Sequence, residues 1–477
     1  MPNLFALLTF VAYSIALVGV GLWASRKANA QGAFLIGDRG LGPWVAGLAY
    51  AASSSSAWVL LGYSGFVYAA GPSALWMAPG ILAGYAAVWL FAGPILQRAS
   101  REKAHQTLTD FLCEDASPDT RRAIQITASV LIAIGFSWYV AAQFQGAGLA
   151  FDDLFGTGLV GGVLIGAAIT VAYVFLGGFL AVSLVDMLQG LLMAVVALVL
   201  PTIALVVAGG PGAVIAAMAE APAQFADPFG GRAGWIAIGF VTGLFATGFG
   251  ALGQPHLIAW IMATRDRKSR MAGAGVALGW GALVYLGMAV LGLSARALFG
   301  ADAPPEGVFF RVATDHLPAI LSGIVTAAVV SAIMSTVDSQ LLVAGGAISH
   351  DLGLARRFPG RGVLVSRIAI LMVCTAAVTV TLTLPASIFD RVLFAWTALG
   401  AAFGPTVVAR ALNYRPNGLA VLASILMGFT AAAAFEFVLP SGPGDVWART
   451  VPWFAGGLGL LTPMLLPRLS AQNVSPS

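Results

Sequence analysis

Apolar segments of about 20 residues, nearly free of Lys, Arg, Asp and Glu, recur along the whole chain, and this repetition constrains the fold before any single residue is considered. Such a segment crosses the hydrocarbon core as a helix, which satisfies its own backbone hydrogen bonds where no water can do so. The 477 residues are 59% hydrophobic and 9% charged, against about 25% charged in an ordinary soluble domain. The expectation is an all-α integral membrane protein with lipid as its bulk solvent. Spans are predicted near residues 3–24, 44–70, 74–96, 123–150, 159–177, 180–208, 234–263, 271–297, 317–348, 363–384, 387–411, 417–438 and 450–467, about thirteen transmembrane helices in one domain over 1–477.

The distribution of Lys and Arg between connectors tests that topology, because cytoplasmic connectors carry the excess of both. Arg26, Lys27 and Arg39, then Arg98, Arg101, Lys103, Arg121 and Arg122, then Arg265, Arg267, Lys268 and Arg270 fall on one side of the predicted membrane. Arg356, Arg357, Arg361, Arg367, Arg410, Arg415 and Arg468 join them, leaving Arg232, Arg296, Arg311, Arg391 and Arg449 for the other. The N-terminus is therefore expected outside and the C-terminus in the cytoplasm. The run from Leu4 to Ala24 reads as a retained helix and not a secretory signal, since no positive charge precedes it and Arg26 and Lys27 lie on the wrong flank.

Several function classes fall away. No connector is long enough for a soluble domain, no Walker-type phosphate loop is present, and Cys113 and Cys374 offer neither a disulfide framework nor a thiolate metal site. A net charge of +4 is poor grounds for a nucleic-acid partner. No nucleophile, base and orienting group cluster, so an enzyme is not expected, and no organic cofactor is called for. Energy, if used, comes from an ion gradient.

Asp186 and Asp338 are the two acidic residues well within spans, and no Lys or Arg lies deep in any span to pair with them. Carboxylates there are costly unless paired or hydrated, so both are candidate cation ligands; the bland alternative is a polar group satisfied by nearby hydroxyls. On a helix, Ser335, Asp338 and Ser339 share one face, and that face offers oxygen ligands only, which suit a hard cation. Asp186 and Asp338 could meet around one ion.

Two spans carry the marks of a broken helix. Ser53-Ser54-Ser55-Ser56 lies mid-span, and serines compete with the helical backbone for hydrogen bonds, although small hydroxyl residues can also simply permit close packing. The run Thr247-Gly248-Phe249-Gly250-Ala251-Leu252-Gly253-Gln254-Pro255 combines three Gly with a Pro. Broken helices at matching positions of two halves point to a transporter's central site. The breaks fit two inverted five-helix repeats, about 44–208 and 234–411, with one extra helix before and two after. His256, just after the Pro, reads either as a proton carrier or as a satisfied histidine lining a solvent pathway.

At these residues the chain resembles the sodium/solute symporter family, and within it the sodium/proline symporters. The resemblance covers nearly the whole length and rests on Gly37–Pro43, Ala52–Trp58, Gly177–Val182 with Asp186, Gly253–His256, Met334-Ser335-Thr336 and Gly400–Pro405. It implies a LeuT-like fold and a sodium site at the carbonyls of Ala52, Ser55 and Ala332 and the hydroxyls of Ser335 and Thr336. It also implies a second cation site, found in some relatives, at Asp186, Ser335, Asp338 and Ser339. The implied solute positions are Ser54, Ser56, Tyr139, Thr247, Ala251 and Pro255. The chain departs from the sodium/proline pattern in having Ser54 for Asp, Ser55 for Met and Asp338 for Ser, and in having Thr247 and Ala251 where aromatic residues line the proline pocket. A wider or more polar pocket is expected.

The expected activity is sodium-coupled symport of a small polar solute by alternating access: proline, a related amino acid or a small monocarboxylate. Proton coupling through Asp186 or Asp338 is the alternative within transport. A solute-sensing membrane module is the alternative outside it.

Overall fold

The computed structural model describes residues 36–462 except 177–178, 359, 440–441 and 443, together with scattered positions between 11 and 20. Among these residues the regular structure is helical, relieved only by a single bridge between Leu41 and Thr264, and nine helices are long and apolar enough to cross a membrane. The first of the nine, Pro43–Glu102, is itself two antiparallel passes. Helix α1 (Pro43–Ala57), a π-helical turn over Trp58–Tyr63 and α2 (Ser64–Ala70) form one; α3 (Met77–Ala86), a π-helical turn over Ala87–Ala92 and α4 (Gly93–Glu102) form the other. Gly71 makes the reversal at φ 65°, where a Cβ would also meet the Phe225 carbonyl oxygen at 2.4 Å. Side-chain pairs record the hairpin: Ser54 meets Tyr85, and the rings of Tyr50 and Trp89 lie 5.3 Å apart.

The chain continues through α5 (Leu108–Leu112), α6 (Pro118–Phe155), α7 (Gly158–Leu176), α8 (Phe179–Val207), α9 (Gly210–Glu220) and α10 (Gly234–Ala246). After a 3-10 segment at Thr247–Gly253 come α11 (Pro255–Met262), α12 (Arg267–Phe299), α13 (Val308–His316) and α14 (Ala319–Gly346), which runs on as a π-helical turn to Asp351. Helices α15 (Gly362–Thr383), α16 (Ile388–Ala411), α17 (Gly418–Phe437) and α18 (Val446–Leu460) complete the described chain. Local sequence sets the ends: α6 starts on Ser117, whose hydroxyl accepts the Thr120 N–H, with Pro118 in its first position, and it stops at left-handed Gly156.

The predicted spans between 44 and 438 fall on these helices. The nine count the Pro43–Glu102 hairpin once and leave out the shorter α7 and α18. Most of the predicted span 3–24 and the end of 450–467 lie outside the described residues, but Tyr13 of the former has its hydroxyl 2.5 Å from Ser331 Oγ on α14. The short connector helices α5, α9 and α13 were not announced by any apolar run.

Helices α14 and α16 lie at the centre: 83% and 94% of their most apolar stretches are buried, against 33% for α15 and 39% for α8. Small residues make this possible, because helices in lipid associate through close packing and not through exclusion of water. A Cβ added at Gly428 would stand 2.1 Å from the Ala401 carbonyl oxygen, and one at Gly456 would stand 2.5 Å from the same atom.

Hydrogen bonds sort the connectors into two faces. On one, Arg39 Nε donates to Ser100 Oγ (2.9 Å), Arg101 to the Thr264 carbonyl (3.2 Å), Arg122 to the Leu352 carbonyl (2.9 Å) and Arg410 to the Leu112 carbonyl (3.2 Å). On the other, Trp76 Nε1 donates to the Pro228 carbonyl (3.0 Å), the Ala303 N–H to Tyr68 Oη (3.0 Å) and the Phe389 N–H to Glu306 Oε1 (3.0 Å). Among the described residues, the first face holds Arg39, Arg101, Arg122 and Arg410, which the alternation of Lys and Arg placed on one side.

Candidate ion and solute site

Helix α1 breaks where the serine run predicts. Ser56 has φ 51° and ψ −173°, a backbone region in which a residue with a Cβ costs about 1–3 kcal/mol unless its surroundings fix it. Two hydrogen bonds do so: the Ala57 N–H donates to Gln143 Oε1 of α6 at 3.1 Å, and the Trp58 N–H to Ser56 Oγ at 3.1 Å. The chain resumes as a π-helical turn, and all four serines are fully buried.

The second break lies between α10 and α11, where the 3-10 segment ends at Gln254 in extended conformation (ψ 110°) before Pro255 opens α11. Pro is suited to that first position, having no N–H to leave unpaired. Glycines let neighbouring backbones close on the segment. A Cβ at Gly84 of α3 would stand 1.9 Å from the Gly248 carbonyl oxygen, and one at Gly253 would stand 2.3 Å from that of Leu399. The Gln254 amide reaches the Ala395 and Trp396 carbonyls of α16, each at 3.5 Å.

Helix α14 brings its hydroxyls to the first break. Thr336 Oγ1 lies 2.9 Å from the Ser53 carbonyl oxygen and 3.1 Å from that of Ala332, which Ser335 Oγ also reaches at 3.1 Å. Ser53 Oγ and Ser339 Oγ are 2.5 Å apart. Ser53, Ala332, Ser335, Thr336 and Ser339 are thus brought together where α1 meets α14, with Ala52 and Ser55 on either side of Ser53–Ser54 in α1. Ala52 also packs on α8, since a Cβ at Gly190 would stand 3.2 Å from its Cβ.

Asp186 of α8 and Asp338 of α14 are both fully buried, and Asp338 is the neighbouring charge that acts on Asp186. Asp338 Oδ1 accepts the Ser339 N–H at 2.7 Å, while Asp338 Oδ2, both Asp186 carboxylate oxygens and Ser55 Oγ lack a hydrogen-bond partner. Buried carboxylates left this way must be neutralised, by a metal cation or by a proton. Gln189 and Gln340, also buried, leave both ends of their amides unpaired beside this pair in sequence.

The positions that the family resemblance implies for the solute are distributed over four helical segments. Ser54 Oγ donates to the Ala51 carbonyl or to Tyr85 Oη; Tyr139 Oη accepts from Trp396 Nε1 at 3.1 Å; Thr247 Oγ1 donates to the Gly243 carbonyl at 3.3 Å; Ser56, Ala251 and Pro255 are buried at the breaks. Trp396 joins the two breaks, because its ring stacks at 6.5 Å on that of Trp58, just past the first, and its carbonyl faces Gly250 and Gln254 of the second. Trp58 also stacks on Phe389 at 5.7 Å.

Sequence reasoning missed Gln143, Tyr85 and Trp396. Gln143 carried the one available signal, a polar amide inside an apolar span. His256 reads differently from the expectation of a hydrogen-bonded, solvent-lining histidine: in this conformation it is 1% exposed with both ring nitrogens unpaired, packed edge-on to Phe136 (5.3 Å) and Tyr139 (6.1 Å). The aromatic rings of α6 seal it, which no local pattern around Pro255 could reveal.

Comparison with known proteins bears on this arrangement. The osmoregulated proline transporter OpuE of Bacillus subtilis is 31% identical over 87% of this chain and 85% of its own length. The sodium/proline symporter of Escherichia coli is 30% identical over 88% and 86%. In fold the chain is similar to a Na+-coupled sialic acid symporter solved in a substrate-bound outward-open state, with a TM-score of 0.80 at 16% identity, covering 97% of this chain and 98% of that one. The family model described as the sodium:solute symporter family matches residues 34–428, and the chain belongs to that family.

Proposed function

We propose that this chain, by its family a sodium-coupled solute symporter and not an enzyme, carries proline or a closely related amino acid across the plasma membrane by alternating access. The relatives that match most of its length are proline transporters, which supports an amino-acid substrate. Ser54, Ser56, Tyr139, Thr247, Ala251 and Pro255 are assigned to the solute. Its carboxylate would be held by half-helix N-termini, hydroxyls and bound sodium, an arrangement that also admits a small monocarboxylate.

Sodium is assigned to the carbonyls of Ala52, Ser55 and Ala332 and the hydroxyls of Ser335 and Thr336. The observation that carries this reading is the approach of Thr336 Oγ1 to the Ser53 carbonyl, three residues before the break at Ser56. An ion bound there touches both the broken helix and α14, and so favours the conformation in which they meet. That differential affinity is what coupling requires. Asp186, Ser335, Asp338 and Ser339 form the second cation site, supported by the unpaired carboxylate oxygens. The breaks in α1 and between α10 and α11 support two inverted repeats, about 44–208 and 234–411. The face rich in Lys and Arg is assigned to the cytoplasm, with the N-terminus outside.

The same two carboxylates would serve protons, and one experiment separates the cases. Radiolabelled proline is offered to proteoliposomes under an inward sodium gradient or a proton gradient. Sodium-dependent accumulation is expected, weakened about 5- to 150-fold in Asp186→Asn or Asp338→Asn, the range of ordinary coupling energies. Uptake driven by protons alone would replace sodium in this scheme.

A further inference from the structure

A third group of titratable side chains lies on the Lys- and Arg-rich face, beside a cavity that Thr107 and Asp351 line together with Pro255. Asp110 stands on α5, and His350 and Asp351 stand on the π-helical turn that ends α14. One ligand atom from each can be chosen so that all lie within 4.8 Å of one another. His350 Nε2 is 3.3 Å from Asp110 Oδ2, and Thr107 Oγ1 donates to Asp351 Oδ1 at 2.9 Å. Asp351 is 2% exposed, and its Oδ2 has no hydrogen-bond partner. Of the neighbouring basic groups, Lys103 pairs with Glu114 and Arg410 with Glu114 and Asp115, while Arg356 lies near His350 and His105 near Asp110.

His350 and Asp110 are joined by a hydrogen bond that, at 3.3 Å, is longer than the about 2.7–2.9 Å of a tight charge-assisted one. By contrast, two ligands at about 2.0–2.1 Å from a tetrahedral zinc ion stand about 3.3 Å apart. We propose that Asp110, His350 and Asp351 bind a divalent transition-metal cation, with Zn2+ the best match to one imidazole and two carboxylates. Calcium and magnesium prefer six or more oxygens and would gain little from the imidazole. The Asp110 carboxylate is held in place by the Gln106 and Thr107 N–H groups, which donate to its Oδ2 at 2.9 and 3.3 Å, and Thr107 steadies Asp351. The side chains of His350 and Asp110 are 23% and 19% exposed, which gives the ion a way in and a fourth position for water. Because α14 also carries Ser335 and Asp338, a metal that ties its end to the α4–α6 connector holds this face closed and slows the transport cycle.

The test is equilibrium dialysis of the purified full-length protein in detergent with zinc chloride at neutral pH, paired with thermal melts with and without zinc. One zinc per chain is expected, with affinity lowered about tenfold or more in His350→Gln and in Asp351→Asn and unchanged in His316→Gln on the opposite face. The zinc-dependent rise in melting temperature should vanish in the first two. Absence of stoichiometric binding to the unaltered protein would overturn the proposal. So would zinc binding, or a zinc-dependent rise, that persists in both His350→Gln and Asp351→Asn, leaving the cluster as a hydrogen-bonded staple only.

Discussion

The two helix breaks reach the same end by different physics. At Ser56 the chain is bent by polar chemistry: a strained backbone held by Gln143 and by its own hydroxyl, with serine carbonyls and hydroxyls facing α14. Between Thr247 and Gln254 it is bent by the absence of side chains, and α3 and α16 close on bare backbone. The first break therefore offers oxygen ligands, and the second offers position. Damage to the first should alter ion coupling in a protein that still folds; damage to the second should stop the fold from closing.

The largest effect is expected where the glycine break is most tightly enclosed. In Gly84→Val the added Cβ meets the Gly248 carbonyl oxygen at 1.9 Å, a clash with backbone that no rotamer relieves. Overpacking of this kind costs about 1–3 kcal/mol or more, and the variant should give no monodisperse peak in size-exclusion chromatography. A folded, active Gly84→Val would erase the contrast between the breaks. Next comes Thr336→Val, which removes the hydroxyl at the Ser53 carbonyl while keeping the shape. The sodium concentration for half-maximal uptake should rise at least about fivefold, with the melting temperature little changed.

Gln143→Leu should produce a smaller change, and one of stability. It leaves the Ala57 N–H buried without an acceptor, at a cost of about 1–3 kcal/mol, and thermal melts should fall by a few degrees. Ser56→Gly should change least. Glycine relieves the positive φ but loses the bond to the Trp58 N–H, worth about 0.5–1.5 kcal/mol, so the two terms nearly cancel. A large loss of stability in Ser56→Gly would show that the hydroxyl, and not the backbone, holds the first break.

Much of this was legible in the chain itself. Four serines in one span and three glycines with a proline in another are local anomalies against an apolar background, so both breaks could be located before any packing was known. Asp186 and Asp338 stood out in the same way. Gln143 stood out only as a polar amide in an apolar span and Tyr85 not at all, because their roles lie with partners 86 and 31 residues away: Gln143 receives the Ala57 N–H, and Tyr85 meets Ser54 only once the hairpin at Gly71 has formed. Trp396 was hidden for the same reason. His256 reads differently in the structure because its surroundings come from Phe136 and Tyr139 of α6, which no pattern around Pro255 encodes.

The sequence by itself determined that the chain lives in lipid as helices, which connectors share a side, where two helices must break, and that oxygen is the ligand chemistry on offer. These follow from composition, periodicity and the cost of unpaired polar groups in hydrocarbon, all properties of short stretches. Only the tertiary structure decided that Thr336 reaches the Ser53 carbonyl, that Asp186 and Asp338 are neighbours, that Trp396 links the two breaks, and that Asp110 closes on His350 and Asp351. Such meetings are set by how α8, α14 and α16 pack through their small residues, and that packing is a property of the whole bundle.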